Sequence, residues 1–228
     1  FLAPSSVVLV SWSLLLTSAP RPPGSPHGPF TPLFRSRGFL RDNKIANTVS
    51  CSGDYHTHAA GRLAPNLEDD NPDFVAVDFA TTSITSGNLF NGAERSTPKD
   101  DPFRQFVAIE SGGALVENFN NTVVNGMLSG LTAAYTGSSL LAGLIASDKA
   151  SPGLDYLDGN SHGFGLATIT AEAATVSLVN VGSVAKEPGP DGQPVLRRAT
   201  FHVPEWSDGS QPTLEDLSFE GAPSFPFG

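Results

Sequence analysis

The densest group of chemically useful side chains in the sequence is Ser52-Gly53-Asp54-Tyr55-His56-Thr57-His58. An aspartate offers a hard oxygen and a histidine a borderline nitrogen, a donor mixture suited to iron, zinc, manganese or a mixed two-metal centre. The residues just before it, Thr48-Val49-Ser50-Cys51, read as a short buried strand that stops at Ser52-Gly53. Open α/β sheets place ligands beyond the C-terminal ends of their strands. If the chain stays extended after the strand, residues two apart point the same way. Asp54, His56 and His58 would then face one cleft, and Gly53 would let the backbone approach a bound ion. The plainer reading is that these polar groups only cap the turn by hydrogen bonding. On the residues alone both readings stand.

The rest of the chain must supply the framework. Phe74 to Phe79 is apolar and β-prone, and it runs into a Ser/Thr-rich turn. His162 to Thr170 and Ala174 to Val181 read as two strands of a hairpin. GFLRDNKIANTV, from Gly38 to Val49, reads as a helix end followed by a turn. The segments 61–73 and 88–101 are acidic or polar and read as loops. Thr122 to Ser147 holds no charged residue, but its Asn, Ser, Thr, Tyr and Gly residues argue against a membrane span. Two short helices breaking near Gly137 fit it better. The Pro-punctuated tail from residue 186 to 228 is expected to pack across the domain. No internal repeat is visible.

Composition narrows the possibilities. With 23 Gly, 19 Pro and only 16% charged residues, the chain favours strands, turns and long loops over a helical bundle. The net charge of −10, without a basic stripe, argues against a nucleic-acid-binding surface and fits an anionic membrane poorly. Bound cations would reverse the local field, so the acidity is compatible with metal binding. The single cysteine, Cys51, excludes an intrachain disulfide and a cysteine-based zinc site, and reads as a small buried hydrophobe. His27 and His202 read as surface residues. Residues 1–35 read as an unstructured or aberrant segment: a short apolar run, VVLVSWSLLL, resembles a signal-peptide core without a basic start, and a Pro/Gly-rich linker follows. The chain begins with Phe1 rather than Met, which fits processing or a piece of a longer product.

Three stretches, in order, resemble PhoD-type alkaline phosphatases, which are calcineurin-like or purple-acid-phosphatase-like metallophosphoesterases. NKIANTVSCSGDYHTH resembles that family's NTVVLSGDVHAS. DFVAVDFATTSITSG resembles its strand ending in a Ser/Thr-rich turn and glycine. SPGLDYLDGNSHGFGLATITAE resembles its NPHLKYVD…HGY…LTPE segment. Together they fall within roughly residues 38 to 182.

The resemblance implies an α/β (α+β) fold, part of a metallophosphoesterase β-sandwich flanked by helices, with its metals at strand ends. It implies a metal-dependent phosphoric ester hydrolase, with phosphate esters as substrate, calcium and iron as cofactors, and a secreted or periplasmic location. Carried onto matching positions, Asp54 and His56 would be metal ligands, with His58 and His162 as further candidates. The family's upstream Gly-Asp-x-x-Tyr and Asp/Asn-His-Glu motifs have no counterpart before residue 38, and its metal-binding cysteine is not Cys51. The expected organisation is therefore an aberrant segment over 1–35, a C-terminal part of the phosphatase domain over 36–185, and a tail over 186–228, with little activity from this chain alone. A non-catalytic extracellular binding module or pseudo-phosphatase is the alternative. An adhesive surface protein carrying the sequon Asn120-Asn121-Thr122 is a third reading.

Overall fold

The computed structural model describes residues 7–10, 31–111, 113–183, 190, 192–207 and 209–227. In chain order the elements are β1 (Val7–Val10), α1 (Thr31–Asp42), β2 (Thr48–Ser52), β3 (His58–Leu63), β4 (Ala76–Ala80), α2 (Leu89–Ser96) and α3 (Arg104–Val107). There follow β5 (Ala108–Ser111), β6 (Ala114–Glu117), α4 (Phe119–Asn125), α5 (Met127–Thr136) and α6 (Ser139–Leu144). The chain ends with β7 (Leu154–Asp158), β8 (Gly163–Ile169), β9 (Ala173–Val181), β10 (Val195–Pro204) and β11 (Glu215–Gly221). The architecture is mixed α/β, as expected.

Two sheets face each other. The first has the order β1-β2-β4-β3-β7, with β1, β2 and β4 parallel and β3 antiparallel to both of its neighbours. The second is an antiparallel sheet in the order β11-β10-β9-β8. Period-two alternation assigns the inner faces. Val49, Ala60, Val77, Phe79 and Tyr156 from the first sheet pack in one core with Val176, Leu178, Ala199, Phe201 and Val203 from the second. Phe201 sits at its centre, with ring centroids 5.6 Å from Phe79 and 5.5 Å from Tyr156.

The alternate residues point outward and meet helices. Leu63 and Ala76 pack with Leu40 of α1. Ala59, Ala80 and Leu157 pack with Phe119, Val123 and Val124 of α4. The charge-free stretch breaks at Gly137, which ends α5 at φ 63°, as the sequence suggested. It breaks once more at Gly126, φ 94°, so the stretch holds short helices only. Among the described residues no helix is long and apolar enough to cross a membrane.

Several expectations change. The loop expected over 61–73 begins inside β3, whose HAAGRL is nearly all buried between two strands and so lacks the usual polar–apolar alternation. The expected loop over 88–101 contains α2, started by Asn88, whose side chain accepts from the Asn91 N–H. The tail from 186 contributes two full strands, β10 and β11, rather than a strap. Its described prolines sit at strand ends and loops, where a missing N–H costs little. Within the segment expected to be unstructured, Val7–Val10 pairs in parallel with β2, as its run of β-branched residues permits. The signal-peptide cleavage region and the Pro/Gly linker lie outside the described residues.

Candidate functional site: a polar edge of the parallel strands

β2 and β4 run parallel, and β7, antiparallel to β3, points the same way. Their C-terminal ends therefore share one edge of the sheet. Three polar loops leave it: 53–57 after β2, 81–88 after β4 and 159–162 after β7. Backbone bonds tie them together. Thr81 N–H donates to Ser52 O at 3.0 Å, Leu89 N–H to His56 O at 3.0 Å and Phe90 N–H to Gly159 O at 3.0 Å. Thr57 Oγ1 donates to Asp158 O at 2.9 Å, and Thr82 Oγ1 to Ser161 O at 2.8 Å.

Asp54 and His56 lie beyond the end of β2, where the sequence put them, but the backbone is not extended there. Both have positive φ, 77° and 53°. Asp54 and His56 therefore lack the two-residue alignment of an extended strand, because the chain turns sharply after Gly53 before re-entering the sheet at His58. Left-handed backbone at non-glycine residues costs on the order of 1–3 kcal/mol and concentrates at functional sites. The protein does not force glycine at position 53, since an added Cβ would come no closer than 3.9 Å to Thr81 O.

The Asp54 side chain is exposed. His56 Nδ1 lies 2.7 Å from Gly87 O. A carbonyl can only accept, so Nδ1 carries a proton, and in the neutral ring Nε2 keeps its lone pair. This is the tautomer and outer hydrogen bond found on metal-ligating histidines. A carboxylate and an imidazole prepared in this way fit the donor set of an iron, zinc or manganese ion. Among the described residues no group of three or more His, Cys, Asp or Glu side chains could hold a metal by itself. Burial, with the adjacent Asp54 carboxylate, pushes the Tyr55 phenol up.

His58 belongs to the sandwich rather than to the loop. It is 1% exposed. Its Nε2 donates to Val179 O of β9 at 3.1 Å, and its Nδ1 accepts the Thr82 N–H at 3.3 Å. Both ring nitrogens are thus engaged by backbone, which leaves none for an ion. Burial holds its pKa down at about 4. His162 stands at the same sheet edge, half-buried at the entry to β8, with its carbonyl accepting from Val181 N–H at 2.7 Å. Its Nδ1 is buried without a partner among the described residues. Cys51 is half-buried rather than buried. Burial and the Asp78 carboxylate push its thiol up, so it does not supply a thiolate.

Sequence reasoning missed the groups that hold this edge. Asn88 Nδ2 donates to Asn160 Oδ1 at 3.0 Å. Arg197, from β10 of the other sheet, grips Asp158 with two bonds of 2.7 Å and donates to Asn160 O at 2.9 Å. Glu117, beside this pair, is pushed up to about 8, mainly by burial and then by the Asp158 charge. The one available signal was Asn88 three residues ahead of Asn91, an N-cap pattern hidden in a polar stretch.

The two-sheet α/β sandwich thus presents an acidic and an imidazole side chain on loops beyond the C-terminal ends of its parallel strands, where open α/β sheets bind ligands. The comparisons narrow this further. Residues 34–128 match the family model of PhoD-like phosphatases. The matched segment includes Asp54, His56 and His58, whereas His162 lies outside it. No curated protein matches the chain. Among solved structures, that of PhoD is 16% identical, covering 81% of this chain and 25% of its own, with a TM-score of 0.46. The chain thus spans about a quarter of the length of that structure.

Proposed function

We propose that this chain carries one side of a metal-dependent phosphoesterase site, with the Asp54 carboxylate and His56 Nε2 as ligands. The observation that carries the reading is the His56 Nδ1–H bond to Gly87 O, inside the segment that matches PhoD-like phosphatases. A bound metal would polarise a phosphoryl oxygen and lower the pKa of a bound water toward neutrality. Asp54 supplies negative charge that offsets the cation, and the Gly87 carbonyl orients the His56 ring. The parallel strands fix the loop's exit from the sheet. The remaining donors of a complete centre would come from outside the described cluster.

Calcium and iron are the metals proposed, phosphate mono- or diesters the substrates, and an extracytoplasmic compartment the setting. Hydrolysis of p-nitrophenyl phosphate and its bis-ester, with each metal added in turn, tests the activity of the chain and of any longer product containing it. The reading predicts hydrolysis that depends on metal in the longer product and falls at least about 100-fold in Asp54→Ala or His56→Ala. Full activity in both variants would contradict it.

A further inference from the structure

We infer that Asn160 is a positioning residue for the His56 imidazole, acting through Asn88 and the Gly87 carbonyl. The inference rests on the reading of His56 as a ligand and extends it to the device that holds the ring. His56 is gripped twice by the start of α2: its Nδ1–H reaches Gly87 O at 2.7 Å, and its own carbonyl accepts the Leu89 N–H at 3.0 Å. The ring therefore goes where residues 87–89 go.

Residues 87–89 are fixed from the 159–160 turn. Asn88 uses both ends of its amide. Its Oδ1 caps α2 by accepting Asn91 N–H at 2.8 Å, and its Nδ2 reaches Asn160 Oδ1 at 3.0 Å. The Asn160 backbone is held in turn by Arg197 at 2.9 Å, so the second sheet sets the position of the turn. The Asn88 side chain is buried, whereas Asn160 is exposed. Changing Asn160 removes this link, and with it the hydrogen bond that its side chain makes to the Glu117 carboxylate, without opening the core.

Outer hydrogen-bonding partners of a ligating histidine fix its tautomer, and their loss lowers metal affinity about 10–100-fold. Asn160→Ala removes the acceptor for Asn88. Asn88→Ser keeps an oxygen that caps α2 but loses the donor to Asn160. Asn160→Asp keeps an acceptor oxygen and should rescue at neutral pH, where the neighbouring Glu117, pushed up to about 8, is protonated and can donate to the new carboxylate. Two readouts are needed on the intact chain: long-range proton–nitrogen NMR of the His56 ring, which reports the tautomer without any metal, and titration with Co²⁺ alone, whose visible absorption reports ligation.

The expected result is a His56 ring held as the Nδ1–H form in the wild type and in Asn160→Asp. In Asn160→Ala and Asn88→Ser it should become a mixture of both tautomers, with Co²⁺ affinity lowered about 10-fold or more. An unchanged tautomer in Asn160→Ala and Asn88→Ser would overturn the positioning role, whatever the metal does. A changed tautomer with unchanged Co²⁺ binding would leave the ring's support in place and overturn the ligand assignment beneath it.

Discussion

Replacing Arg197 by leucine should be among the most damaging single changes in this chain. The guanidinium makes two 2.7 Å bonds to Asp158, a residue only 1% exposed. Without it the carboxylate keeps, among the described residues, one weak side-chain partner, Asn180 Nδ2 at 3.3 Å. Removing one member of a buried ion pair leaves an uncompensated charge and costs about 3–5 kcal/mol. The lost bond to Asn160 O adds about 1 kcal/mol. For a chain of this size the sum corresponds to a fall in melting temperature of roughly 10 °C or more. Urea unfolding followed by circular dichroism at neutral pH would measure it. The double variant Arg197→Leu/Asp158→Asn should be more stable than Arg197→Leu alone, because the buried charge is gone while an acceptor remains. Arg197→Leu within about 1 kcal/mol of the wild type, or a double variant less stable than the single, would refute the reasoning.

Further outcomes follow from the same structure. Glu117 is pushed up to about 8 from 4.5, so the folded state binds its proton more tightly than the unfolded chain does. Its contribution is fully present below pH 4.5 and is lost as pH rises to about 8. Glu117→Gln should remove that fall, making the variant about 2 kcal/mol more stable relative to wild type at pH 8.5 than at pH 4.5. His58→Leu should cost about 2–4 kcal/mol, because the Thr82 N–H and Val179 O are left unpaired, while His58→Gln should recover much of it; urea midpoints decide between them. Phe201→Ala, at the centre of the sandwich, should cost about 3–5 kcal/mol in the same assay. Leu144→Ala on the exposed face of α6 should cost less than about 0.5 kcal/mol.

How much could be read from the sequence depended on how local its causes were. The strands at Thr48, Phe74, His162 and Ala174 were legible because each is a β-branched or apolar run bounded by Gly, Pro or Asp. β3 was not, because His58-Ala-Ala-Gly-Arg62 has weak strand propensity and is extended only through pairing with β4 and β7. β10 and β11 were masked by the prolines around them. The place of Asp54 and His56 after β2 was visible, whereas their left-handed backbone was set by a turn that no spacing rule encodes. His58 looked like a ligand beside two others. Only the second sheet, which brings Val179 O to its ring, shows that it is a buried tie between layers. The Asn88–Asn160 link spans 72 residues and could not be anticipated locally.

The most direct test of the central claim is Co²⁺ titration of the chain and of its Asp54→Ala, His56→Ala and His58→Gln variants, followed by visible absorption and proton release. The account predicts saturable binding in the wild type and in His58→Gln, with affinity lowered at least about 10-fold in Asp54→Ala and His56→Ala. Equal binding in wild type, Asp54→Ala and His56→Ala would show that the turn after β2 is structural and that no metal is held there.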